Sequence, residues 1–255
     1  MTLLRVEGLT KYFHGLAAVQ EVNFSIHLGE IVGLIGPNGA GKTTVFNLIT
    51  GFLKPTQGKI IFRNEEITGL FPHQVARKGI GRTFQATRVF EEETLWQNLI
   101  TGCHGWLNSG WIQGFLKTSS FMKEERASRQ KAAEILDFIG LLPLKEERAK
   151  NIPQYAHKKL AIALALATEP QVLLLDEPFS GLNTHEAEGI MSLIHKICGQ
   201  GVTILLIEHN MKVVKNLCER IIVLNFGQKI AEGSFHEISQ EPHVIEAYLG
   251  GESVS

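Results

Sequence analysis

Residues 36–43 read Gly-Pro-Asn-Gly-Ala-Gly-Lys-Thr, directly after the apolar run Ile31-Val32-Gly33-Leu34-Ile35. This is G-x-x-x-x-G-K-T on a strand-to-helix turn, a pattern suited to holding the phosphates of a nucleotide. Gly36, Gly39 and Gly41 let the backbone curl so that successive N–H groups converge on one anion. Lys42 adds a cation for the β and γ phosphates, and the Thr43 hydroxyl is placed to ligand Mg²⁺. A helix starting near Lys42 points its positive end at the same charge. Gly36, Pro37, Asn38, Gly39, Ala40, Gly41, Lys42, Thr43 and Thr44 together form the expected nucleotide-binding segment.

Four other stretches carry side chains that could act on such a ligand. Val172-Leu173-Leu174-Leu175 reads as a buried strand ending in Asp176-Glu177. Asp176 is positioned to hold Mg²⁺ through its water shell, and Glu177, facing the other way, to polarise an attacking water as general base. The alternative is a solvated strand end. Val202–Ile207 is a second apolar strand, ending in Glu208-His209. A histidine there can reach the γ-phosphate, because ligands of open α/β sheets sit beyond the strand carboxyl ends; it could also be a surface or helix-start histidine. Gln85, closing Gly81-Arg82-Thr83-Phe84-Gln85, can contact Mg²⁺ or its water, or be simply hydrated. In Lys11-Tyr12-Phe13, ahead of Gly15, an aromatic can stack on an adenine ring or belong to the core.

The elements that must position these residues follow from periodicity. Residues 3–9 and then Val19, Val22, Phe24 and Ile26 predict two short strands, and Gly58–Phe62 another, followed by a polar turn at Asn64-Glu65-Glu66. A short helix is expected at 72–78 and a strand from Ile80 to Phe84. From about 86 to 168 the strand signal gives way to helical faces: Leu95 and Leu99; Ala133, Ile135, Leu136 and Ile139; Leu160, Ala163, Leu164 and Ala167. Beyond 168, strand and helix alternate: 172–175, helix 184–199, 202–207, helix 210–217, 221–224. Alternation of this kind predicts an α/β fold with a largely parallel sheet and crossover helices. The expected division is an α/β core from 1–85 and 169–255, with 86–168 as an inserted helical subdomain.

A chain of 255 residues suits one large domain or a core with a subdomain. The net charge of −1 gives no reason to expect a nucleic-acid partner. Cys103, Cys198 and Cys218 lack C-x-x-C spacing and read as free thiols of a reducing compartment. The histidines show no metal-ligand spacing, and His195 and His236 read as surface residues. Met1–Arg5 has no signal-peptide character, and no apolar run approaches a membrane span. The expectation is a soluble cytoplasmic chain whose membrane role comes through partners.

In this order and spacing the motifs resemble the ATP-binding subunits of ABC transporters, across nearly the whole chain. The resemblance sharpens to the branched-chain amino acid importer subfamily at Leu9–Phe13, Gly81–Gln85, Pro178–Asn183, Ile207–Met211 and the tail Val244–Gly250. The stretch from Cys103 to Phe121 is similar to the longer insert of that subfamily's larger ATPase subunit. It implies a P-loop NTPase (RecA-like) core with an N-terminal antiparallel region and an inserted helical subdomain. ATP and Mg²⁺ are the implied ligands. The implied partners are a second ATPase subunit, two permease subunits and, indirectly, an external substrate-binding protein, at the cytoplasmic face of the plasma membrane. Phe13 would stack on adenine, Gln85 would couple site to permease, Ser180–Asn183 would cross to the partner ATPase, and His209 would sense the γ-phosphate. Trp106, Trp111, Phe115 and Phe121 of the insert read as a helical arm with its own small core, one or two of them turned to a permease.

One family motif departs from its pattern. Counting back from Asp176, the Leu-Ser-Gly-Gly-Gln-like signature falls on Ile152-Pro153-Gln154-Tyr155-Ala156, followed by His157-Lys158-Lys159. Pro153 replaces the serine and lacks an N–H, and Tyr155 or Ala156 replaces the key glycine. Leu164 stands where the family usually has arginine. The implied arrangement is an asymmetric heterodimer in which a partner supplies an intact signature to this chain's phosphate loop. Lys158 and Lys159 read first as a solvated helix face, and second as partial compensation at the signature. The alternatives are a nucleotide-gated subunit with weak or no hydrolysis and a soluble P-loop kinase or GTPase; no guanine-reading Asn-Lys-x-Asp segment favours the last.

Overall fold

The computed structural model describes residues 1–83, 89–104 and 119–249. Its central sheet has six strands in the order β10-β9-β3-β8-β7-β6. These are β3 (Ile31–Ile35), β6 (Ile80–Arg82), β7 (Val172–Asp176), β8 (Thr203–Ile207), β9 (Arg220–Asn225) and β10 (Gln228–Gly233). β9, β3, β8, β7 and β6 pair in parallel, and only β10 joins antiparallel. A second, antiparallel sheet has the order β2-β1-β4-β5, with β1 (Thr2–Phe13), β2 (Leu16–His27), β4 (Gln57–Phe62) and β5 (Glu65–Glu66).

The apolar runs of the central strands become intelligible once both sheet faces are covered. Ile31, Leu173, Leu175, Ile204, Leu206, Ile221 and Val223 enter one core, and Val32, Leu34, Leu174, Leu205, Ile207, Ile222 and Leu224 the other. The second core also holds α1 (Lys42–Ile49), through Val45, Phe46, Leu48 and Ile49, together with the inner face of the antiparallel sheet. The first continues into α3 (Leu95–His104), α4 (Ser119–Phe138) and α5 (Gln154–Leu166), and into the crossover helices α6 (Thr184–Gly199) and α7 (Met211–Leu217). A short α2 (Pro72–Arg77) precedes β6, and α8 (Phe235–Ile238) and α9 (Pro242–Leu249) follow β10.

Most of the expected elements are present, with α6 matching its expected span. The first two strands are longer than their patterns indicate: twelve residues each, hairpinned through His14-Gly15, with register irregularities that break the period-2 alternation. The polar turn is confined to Arg63-Asn64, both at positive φ, while Glu65 and Glu66 return as β5. β6 ends at Arg82; the Thr83 N–H extends its pairing to the Leu174 carbonyl, and Phe84 lies outside the described residues. Trp106, Trp111 and Phe115, and the side chain of Phe121, also lie outside them.

Candidate active site

The loop from β3 to α1 is shaped by two close backbone approaches. At Gly36 (φ 149°) a Cβ would stand 2.1 Å from the Leu224 carbonyl oxygen, and at Gly41 (φ 99°) 2.5 Å from that of Ala18. Only glycine fits both positions. Lys42 opens α1 and is 6% exposed; its Nζ donates to the carbonyls of Gly36 (2.7 Å) and Pro37 (2.8 Å). The ammonium thus lies along the loop it serves. Burial pushes its pKa down, and the carboxylates of Glu177 and Asp176 act in the other direction.

Asn38 to Thr44, with Ala18, Glu177 and His209, line one cleft of about 200 Å³. Glu177 adopts φ +47°, a left-handed conformation that costs a bulky side chain of order 1–3 kcal/mol. Its N–H bonds to the Ile207 carbonyl (3.1 Å), tying the ends of β7 and β8 together. With its proton on Nε2, His209 donates to Glu177 Oε1 at 2.8 Å. Residues 32 positions apart in sequence thus meet opposite the phosphate loop.

Asp176 is the last residue of β7, one position before the left-handed conformation of Glu177. It is 6% exposed and lines, with Thr43, a larger cavity bounded by α1, α2, β6 and α5. Its Oδ2 accepts from Arg82 Nη2 at 3.0 Å, and its N–H donates to Thr83 Oγ1 at 3.2 Å. Arg82 Nη1 also reaches Asn47 Oδ1 (2.7 Å) on α1 and Oγ1 of Thr50 (3.2 Å), its C-terminal cap. Arg82 acquires this role only in the fold, because the pairing joins residues 94 positions apart.

Phe13 is 39% exposed beneath Lys11 Nζ, 5.3 Å from its ring centre, and is not among the residues lining the phosphate cleft. Ala18, further along the same hairpin, is. Gly36 and Pro37 underlie the cleft as acceptors for Lys42. Gln85 lies outside the described residues.

In the stretch 152–156, Pro153 precedes the first turn of α5 and Gln154 Nε2 donates to the Ser180 carbonyl (3.4 Å). Tyr155 packs its hydroxyl end against Gly189 of α6, with Lys159 Nζ 4.7 Å from its ring centre. Lys158 differs from the solvated lysine expected of it. One turn into α5 it points inward, and its half-buried Nζ donates to the Glu177 carbonyl at 3.1 Å. Burial lowers its pKa, opposed by the carboxylates of Glu208, Glu177 and Asp176.

A phosphate loop, a Glu–His pair facing it and a two-sheet α/β core define a P-loop nucleotide-hydrolysing domain. Residues 19–180 match the ABC transporter family model, and residues 228–254 match that of the branched-chain amino acid ATP-binding cassette transporters. The chain is 45% identical over 249 residues to the high-affinity branched-chain amino acid transport ATP-binding protein LivG of Escherichia coli (strain K12), covering 97% of this chain and 98% of that one. It is 43% identical over the same shares to BraF, the protein of the same description from Pseudomonas aeruginosa. The crystal structure of the ADP conformation of an ATP-binding cassette of an ABC transporter superposes with a TM-score of 0.86 at 34% identity, covering 98% of this chain and 99% of that one. The chain belongs to the ATP-binding subunits of ABC transporters, in the branched-chain amino acid subfamily, and is an ATPase coupled to transport. A subunit with little or no hydrolysis finds no support in these relatives. No helix among the described residues is long and apolar enough to cross a membrane.

Proposed function

We propose that this chain hydrolyses ATP in the cleft between its phosphate loop and Glu177, and that this drives import of branched-chain amino acids. The observation that carries the reading is the Glu177–His209 contact of 2.8 Å in the cleft lined by Asn38 to Thr44. Loop N–H groups and Lys42 hold the phosphates. Glu177 takes a proton from water, whose oxygen attacks the γ-phosphorus; the bond to the β–γ bridging oxygen breaks, and ADP and phosphate leave. His209 orients Glu177 and meets the γ-phosphate.

The donor set suits Mg²⁺. The Thr43 hydroxyl and the Asp176 carboxylate are hard oxygen donors beside the loop, and the described residues hold no cluster of three or more His, Cys, Asp or Glu that would form a closed cage. When bound, Mg²⁺ neutralises phosphate charge. Thr43, Asp176 and Gln85 would be its side-chain contacts, while Arg82 keeps one Asp176 oxygen. Adenine stacking is assigned to Phe13.

The core comprises 1–85 and 169–255, with 86–168 as the helical subdomain. Pro153, Gln154, Tyr155 and Ala156 form a degenerate signature, so the working assembly is a heterodimer whose other ATPase brings an intact one. That pair sits peripherally on the cytoplasmic face of the plasma membrane beneath two permease subunits, fed by an external binding protein. In proteoliposomes containing the assembled transporter, Glu177→Gln should abolish leucine uptake and lower ATP turnover about 10²–10⁴-fold while nucleotide still binds; uptake at the wild-type rate would contradict the reading.

A further inference from the structure

Among the described residues two carboxylates are buried, Asp176 and Glu208. Asp176 has Arg82 as counter-ion. Glu208 is 4% exposed and forms no salt bridge among the described residues. Burying such a group is costly unless its hydrogen bonds are made. Its Oε1 accepts the Phe179 N–H (3.2 Å), and its Oε2 accepts the N–H groups of His209 (3.0 Å) and Asn210 (3.3 Å). Asn210 in turn caps α7, accepting from the N–H groups of Lys212 and Val213. Bonds to the next two residues could be an ordinary turn. The bond to Phe179 could not: it spans 29 positions and reaches the loop that follows Glu177.

We propose that Glu208 is a positioning residue that sets His209 against Glu177 and ties this pair to the loop of residues 179–182. The inference rests on the catalytic reading of Glu177 and His209. One oxygen fixes the loop, the other fixes the backbone of His209, and the rigid carboxylate makes the two move together. Burial and the neighbouring Glu177 charge push the Glu208 carboxyl up, while the three N–H groups favour its ionised form. Lys158, one turn into the signature helix, contributes positive charge to the same cluster. A displacement of the 179–182 loop is thereby felt at His209.

Glu208→Gln tests this with shape kept. Whichever way the amide sits, its NH₂ faces an N–H donor on one arm, so one of the two ties is lost. In the assembled transporter, Glu208→Gln should lower kcat about tenfold, as misplacement of a reacting group does, with KM for ATP within about twofold. Introduced on top of His209→Ala it should cost less than about twofold more, because its effect passes through His209. A wild-type kcat, or an undiminished tenfold loss in the His209→Ala background, would overturn the proposal. Glu177→Gln, run in parallel, separates the two ideas: if it keeps full activity, the catalytic reading fails; if it is inactive while Glu208→Gln matches wild type, only the Glu208 inference fails. Should Glu208→Gln not fold, Glu208→Asp keeps the charge at shorter reach. It should then show a lowered kcat at unchanged KM, and a wild-type kcat there would equally overturn the proposal.

Discussion

Lys42 and Cys218 illustrate how burial decides chemistry residue by residue. Lys42 Nζ is held by two carbonyls of its own loop and faces Glu177 and Asp176, so its cation is placed where anionic oxygens must enter. Lys42→Ala removes charge-assisted bonds and should weaken nucleotide binding about 10–100-fold in a fluorescent-nucleotide titration; unchanged affinity would contradict the assignment. Cys218 lies against Gly33 of β3, and burial pushes its thiol from the usual 9.0 to about 12. The folded state therefore keeps a proton that the unfolded chain releases, and stability must fall as pH rises above the ordinary thiol value toward the folded one. The melting temperature should drop between about pH 8 and about pH 10.5, and drop less in Cys218→Ala, since this thiol alone is worth about 2 kcal/mol over that window. Equal slopes for the two chains would exclude the thiol as a contributor.

The elements that carry these residues differ in how openly the sequence declares them. β3, β7 and β8 are buried on both faces and read as unbroken apolar runs; α6 carries its own boundary in the Asn183–Glu186 capping box. The β1–β2 hairpin was legible only in part, because its register irregularities scramble the alternation. β10, α8 and α9 carry no such signal: β10 is partly exposed with no clean period, and α8 is a single turn. Within the site, the phosphate loop and the Asp176-Glu177 strand end were local patterns and readable. The Arg82–Asp176 pair, the Glu208 bonds to the 179 loop and the inward turn of Lys158 depend on the fold and were not. The loop itself makes a sharp test of element geometry. Gly36→Ala would drive a Cβ to 2.1 Å from the backbone of β9, so loop and strand must part. It should destabilise the chain by about 1–3 kcal/mol and weaken nucleotide binding together; a variant of native stability and affinity would show that the loop can rearrange freely.

At the scale of the whole molecule, two cores meet at the central sheet, and the active-site groups lie along the carboxyl ends of its strands. Glu177 and His209 follow directly on β7 and β8, the phosphate loop on β3, and α5 touches the same strand end through Lys158, one turn in. This chain is thus well equipped on the side that grips phosphate. On the side proposed to face a partner's nucleotide, Pro153 offers no N–H before α5, and Tyr155 is packed against Gly189. The most direct measurement is size-exclusion chromatography of the purified Glu177→Gln chain with and without ATP and Mg²⁺, with bound nucleotide quantified in each peak. The expected result is a chain that carries ATP yet elutes as a monomer, since the proposal has the opposing signature supplied by another subunit. An ATP-dependent shift to a dimer would contradict this, and would mean that Pro153 to Ala156 closes over nucleotide as an intact signature does.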